Sequence, residues 1–204
     1  DNSQGEFATS GTLTINTGTQ FVVQDTFNPN AAVTFLAAGT GILRLEGPVT
    51  DFGTGLTQGN GTVVYAGSAN QTVLASGISY YNLTIDNTGT AQATQQAALL
   101  DVDNHFLIND SDAEFVASTS DMTVGGNFTV VQGNFVAAAG VVVTLNGAAQ
   151  TINIDPGGGD NDFMDLTING SVTDTLASSI VVSGTLTITG GTLEVSTFTA
   201  TVAG

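Results

Sequence analysis

The chain has no cysteine, no tryptophan and no lysine, and Arg44 is its single strongly basic residue. Without thiols it holds no disulfide and no thiolate metal site, and without lysine it cannot form a Lys–Asn isopeptide cross-link. Phosphate-backbone binding needs several cations to displace counterions, so a nucleic-acid partner is excluded as a main function. Attachment to an anionic membrane surface fails for the same reason. Charge is sparse as well as one-sided: 9% of the 204 residues are charged, yet the formal net charge is −17. Apolar residues come in twos and threes, far short of a membrane-spanning run, so no membrane insertion is expected. Helical periodicity is nearly absent, with Thr90 to Leu100 the one stretch that offers it. The 41% hydrophobic content still argues for a folded chain. A first residue of Asp1 instead of Met fits either a processed chain or a piece of a longer one.

What fills the chain is period-two alternation bounded by Gly, Asn, Asp and Ser. Leu13-Thr-Ile15, Val63-Val-Tyr65, Leu83-Thr-Ile85, Leu166-Thr-Ile168 and Leu186-Thr-Ile188 each read as a short strand with one buried face. A glycine–strand–glycine–strand phrase recurs over Gly11 to Val23, Gly126 to Ala137 and Gly184 to Val195. A worn copy over Asn104 to Val116 keeps the apolar spacing and loses the glycines. Repetition of a unit this small predicts a solenoid, since each copy buries its apolar face only against a neighbour.

A longer correspondence links Val64–Val73 plus Tyr80–Ile85 to Thr144–Ile152 plus Phe163–Ile168, an offset of about 80 residues. The expected organisation is one elongated domain over residues 1–204. Its super-repeats would run approximately over 61–140 and 141–204, with 1–60 a divergent partial copy. Gly61–Val73, Tyr80–Ile85 and Val182–Val195 resemble repetitive secreted surface proteins of bacteria, the adhesin-like and filamentous-haemagglutinin-like β-solenoids. That resemblance implies a right-handed parallel β-helix with an extracellular structural or adhesive role. At about 20 to 25 residues per coil the chain makes roughly eight to ten short rungs. The stretch Asn28 to Asp51 departs from the pattern and keeps a second fold open, a β-sandwich pilin joined by donor-strand exchange.

Candidate sites are few. Asp155, Asp160 and Asp162 in the loop Asp155-Pro-Gly-Gly-Gly-Asp-Asn-Asp162 supply oxygens separated by glycines, the chemistry of a calcium loop, although no cofactor is required. A polar loop between coils explains the same residues. The acidic run Asn109 to Glu114 lacks the ligand register of a helix-flanked calcium loop. Asn60, Asn70 and Asn82 each begin an Asn-X-Thr triplet and are candidate glycosylation positions, a pattern that a Thr- and Asn-rich chain also generates by chance. Catalysis has little support: Asp101 and Asp103 are the only tempting carboxylate pair, and His105 is the sole histidine, better read as a turn residue.

No polar cap is evident at either end, and an uncapped solenoid end is an open strand edge that invites another chain. The expected function is a non-enzymatic structural subunit of an extracellular, cell-surface filament, a homopolymer grown head to tail. Contacts are expected from Glu6, Phe7, Leu13 and Ile15 at one end and Leu193, Val195, Phe198 and Val202 at the other. The alternative is a stalk or passenger segment of a large adhesin, with glycan or surface contacts made elsewhere.

Overall fold

The computed structural model describes residues 6–7, 9–36, 39–154 and 161–204. The chain winds into an all-β parallel solenoid of about nine turns, with no helix among the described residues. Each turn visits three faces in a fixed order. The first turn shows it: Glu6–Phe7 lies on the first face, Leu13–Ile15 on the second and Gln20–Val23 on the third. The next turn returns to them with Thr26–Phe27, Val33–Phe35 and Ile42–Leu45, each pairing in parallel with its predecessor.

The third face is one unbroken ladder. It runs from Gln20–Val23 through Ile42–Leu45, Thr62–Tyr65, Asn82–Ile85, Phe106–Ile108, Phe128–Val130 and Thr151–Ile154 to the far parts of Asp165–Leu176 and Leu186–Glu194. The second face pairs Leu13–Ile15, Val33–Phe35 and Leu56–Thr57, then resumes from Ser79–Tyr80 up to Leu186 to Ile188. Along the first face the ladder is more broken and ends with Ala200–Val202 on Ile180–Val182. Every pairing is parallel, which rules out the β-sandwich pilin, whose hairpins and Greek keys need antiparallel neighbours.

Alternation builds the core directly. In Leu83-Thr-Ile85 the two apolar side chains are buried and Thr84 faces outward, and the pattern recurs strand after strand. Like stacks on like: Phe106 lies on Phe128 with ring centroids 5.0 Å apart, and Phe115 on Phe135 at 6.1 Å with nearly parallel planes. Such stacks bury large apolar area and add roughly 1 kcal/mol per aromatic pair. Turn length varies without disturbing the strands, because corners absorb it. Leu13 pairs with Val33, twenty residues on, whereas Phe128 pairs with Ile152, twenty-four on.

One local expectation changes, and the one stretch with helical periodicity follows the all-β reading. Asn28 to Asp51 is no exception to the winding: Val33–Phe35 and Ile42–Leu45 occupy their faces in register, and only the connections around Pro29 and Pro48 obscure the alternation. Thr90 to Leu100 is not helical, since Gln92–Gln95 and Leu100–Val102 are strands with buried alternate residues.

The glycine–strand phrase is a corner unit. Its copies at Gly11 and Gly184 span the second and third faces, while those at Asn104 and Gly126 span the third and first. The two latter copies lie one on the other, Phe106 on Phe128 and Phe115 on Phe135. Some corners admit glycine alone. A Cβ on Gly147 would sit 1.7 Å from the carbonyl oxygen of Gly125 one turn below, and one on Gly170 would sit 2.6 Å from that of Gly147.

Candidate functional site

Polar side chains inside the solenoid hold corners instead of lining a catalytic cleft. Gln71 and Gln150 are almost fully buried and do the same work at two different corners. The Gln71 side-chain oxygen accepts from Gly67 N–H at 2.8 Å, and its amide nitrogen donates to the carbonyls of Leu45 and Gly47 at 3.0 and 2.6 Å. Gln150 accepts from Gly147 N–H at 2.7 Å and donates to Val124 O at 2.8 Å and to Gly126 O. Each glutamine closes its own corner and clamps the turn below, satisfying backbone groups that the change of direction leaves unpaired.

A second buried network joins Tyr65 and Tyr80 near the interruption of the second face. The Tyr80 hydroxyl donates to Leu74 O at 2.6 Å, so the 2.9 Å contact between the two hydroxyls uses the Tyr65 proton. Leu74 N–H in turn donates to the Tyr65 oxygen at 3.2 Å. Burial pushes the Tyr65 phenol up to about 12 and Tyr80 well above its ordinary value. Both stay neutral through the physiological range and act as structural bridges.

Asp174 is the one fully buried carboxylate among the described residues. Its Oδ1 accepts from Gln150 N–H at 2.8 Å, while Oδ2 is buried with no hydrogen-bond partner. Burial raises its pKa, only partly opposed by the bond from Gln150. Arg44, the lone cation, is committed elsewhere: Nε reaches Glu46 at 3.0 Å and Nη1 reaches Asp86, two turns along, at 2.6 Å. No guanidinium remains unpaired to receive an acidic ligand.

The expected chemical sites are dispersed. Asp155 and Asp160 lie outside the described residues, and Asp162 is half-buried, its Oδ2 3.4 Å from Ser183 Oγ. Among the described residues no group of three metal-ligating side chains converges. Asn60 and Asn70 are exposed at corners, and Asn70 Oδ1 accepts from Gln92 N–H at 3.0 Å. Asn82 is half-buried in an amide stack, its Oδ1 accepting from Asn104 Nδ2 at 2.9 Å. His105 is an exposed corner residue whose Nδ1 accepts from Asn127 N–H at 2.9 Å, which places its proton on Nε2.

What the structure does gather is apolar side chains on the strands at the two ends of the described solenoid. At the first, Glu6 is exposed beside half-buried Phe7, whose ring stacks on Phe27 at 5.7 Å and meets Phe21 edge-on at 5.2 Å. Leu13 is half-buried and Ile15 buried on the neighbouring face. Phe7 and Val22 border an open cleft with the carboxylates of Glu6, Asp25 and Glu46. At the other end Leu193 is half-buried while Val195, Phe198 and Val202 are exposed at 39%, 37% and 48%. Ile188 was not among the expected contacts, yet at 51% it is one of the most exposed large apolar side chains of the chain. The signal was present: Leu186-Thr-Ile188 repeats Leu13-Thr-Ile15 letter for letter. Among the described residues nothing stacks on either terminal set of strands.

Comparison with protein-family models, with curated proteins and with solved structures finds no match. The fold is a β-solenoid, and its ends carry the functional reading.

Proposed function

We propose that this chain is a structural subunit that stacks head to tail through its open ends into an extracellular filament at a cell surface. The observation that carries the reading is the pairing of two unfinished edges. A full set of parallel strands at each end has one row of backbone donors and acceptors facing outward. At the far end these strands and the turn between them also leave Ile188, Val195, Phe198 and Val202 in water. An exposed apolar strand edge is a template for another chain, and a head-to-tail contact propagates instead of closing. The likeness of the corner phrases to repetitive secreted bacterial surface proteins supports an extracellular setting, as does a lysine-free chain in which Arg44 is the single trypsin-type cleavage site. The proposal gives it no catalytic role.

Electron microscopy of the purified chain across a concentration series tests this. Thin filaments are expected, and I188D should abolish them while leaving the monomer's circular dichroism and melting temperature close to those of the parent. Uniform short rods at every concentration would overturn the assembly reading in favour of a stalk segment. Loss of filaments on chelation would bring in calcium at the Asp155 to Asp162 loop.

A further inference from the structure

Read along the chain, the threonines of the Leu-Thr-Ile strands simply alternate with apolar residues. The pairing register shows that they share one position. On the second face Thr14 pairs with Thr34 and Thr34 with Thr57, each at the outward position of its strand. Farther along, Thr123, Thr144, Thr167 and Thr187 stand one on the next, again without a slip. Ser79 and Asp101 hold the same position in the two turns between; strand pairing lapses from Thr57 to Ser79 and resumes from Ser79 through Asp101 to Thr123. The column therefore carries seven threonines, one serine and one carboxylate.

Strand propensity does not account for this. The outward column of the third face, built on equally regular pairing, reads Val22, Arg44, Val64, Thr84 and Leu107. The hydroxyls of the second face are also unspent. Thr123 donates to Asp101 Oδ1 at 2.6 Å, but among the described residues the other six threonine hydroxyls of the column have no partner within the protein. Corner threonines behave differently, since Thr19 and Thr50 donate to the carbonyls of Asn16 and Phe27.

We infer that the second face is an ice-binding surface. Parallel pairing sets the repeat of the column at about 4.8 Å, close to the spacing of water molecules along one axis of the ice lattice. Threonine is stiff at its first side-chain torsion, so hydroxyl and methyl recur along the column in a fixed arrangement. Each hydroxyl anchors one lattice water, and the methyl groups between them face the lattice without competing for its hydrogen bonds. No single anchor is strong, but a row that engages one rigid lattice adds up as linked sites do. Two other occupants fit less well. No aromatic ring stands at an outward position of these strands to stack on a sugar. A second copy lying face to face would set Asp101, Asp121 and Asp165 against their counterparts with no base on this face to offset them. Against ice, Asp121 and Asp165 are held at the column's margin, where they accept from Val142 N–H at 2.9 Å and Thr185 N–H at 2.6 Å. Asp101 is the one defect in the column itself. The surface runs along the side of the rod and stands free whether or not the ends stack.

The probe is ice itself. The parent protein is expected to enter slowly grown ice in preference to the remaining liquid and to hold the freezing point below the melting point. T144K and T167K place a charge at half-buried outward positions of the column, and each should lower both readings severalfold. T129K makes the same change at an outward position of the third face and should leave them at the parent value, which separates the face from net charge. D101T removes the carboxylate and should raise them. Circular dichroism checks that each variant is folded. Exclusion of the parent from ice, or uptake of T144K equal to that of the parent, overturns the inference. Retention of the parent on crystalline cellulose that T144K abolishes, with no uptake into ice, overturns it in favour of an ordered glycan.

Discussion

Asp174 is where residue-scale chemistry works against the fold. Its carboxyl is buried one turn from the far end, bonded on one oxygen and unpartnered on the other, and its pKa stands above the ordinary 3.8. The folded state therefore holds this proton to higher pH than the unfolded chain does. On this group's account stability is greatest at acidic pH and falls as pH rises from the ordinary carboxylate value through the raised one. D174N keeps the oxygen that accepts from Gln150 and removes the buried charge. It is expected to raise stability at pH 7 by about 1 kcal/mol and to flatten the pH dependence above pH ~4. Thermal melts of both proteins from pH 4 to pH 7 check this, and parallel pH profiles would count against it. Nothing in the sequence set Asp174 apart from the other acids, because its burial depends on the corner glutamine and on the strand stacked above.

At the scale of the element, the strand–turn–strand corner was legible and its position around the solenoid was not. Period-two alternation and glycine spacing reveal the unit, since each Leu-Thr-Ile buries its outer residues whichever face it joins. For the same reason those letters carry no record of the face. Gly67 to Gln71 turns from the third face to the first, whereas Gly147 to Gln150 turns from the second to the third, with the same hydrogen bonds in both. The likeness between those segments therefore reports shared corner chemistry at two different corners. The glutamines themselves escaped notice because an amide in a loop reads as solvated until the carbonyls of the preceding turn are found below it. Q150L removes the donor to Val124 and Gly126 and the acceptor for Gly147 in a buried corner. A loss of about 2–3 kcal/mol is expected in urea unfolding, with an unchanged far-ultraviolet spectrum. A smaller loss, under about 0.5 kcal/mol, would show that water replaces the amide.

For the whole molecule the strongest influence outside the core is its charge. In the proposed filament, a formal −17 on a rod with one arginine means that a docking subunit would approach like charge, including Glu6, Asp25 and Glu46 around the first end and Glu194 near the last. Screening shortens that repulsion to about 10 Å at 0.1 M salt. Assembly followed by light scattering is expected to be slow at low ionic strength and to accelerate severalfold at about 0.2 M sodium chloride, without a divalent ion. A requirement for calcium that sodium cannot meet would point instead to a specific site. The winding was legible as repeats, but the order of the three faces was not, because it appears only when the strands are followed face by face.

The corner unit's indifference to face has a geometric consequence. Length in this fold is quantised in thirds of a revolution, because each turn visits three faces in a fixed order. Gain or loss of a single strand and its turn would rotate the edge beyond it by a third of a revolution while leaving every surface residue elsewhere unchanged. A whole strand with its turn thus acts as a phase setting, which in the proposed filament would fix the twist from one rod to the next, whereas small corner insertions are absorbed and leave the phase alone.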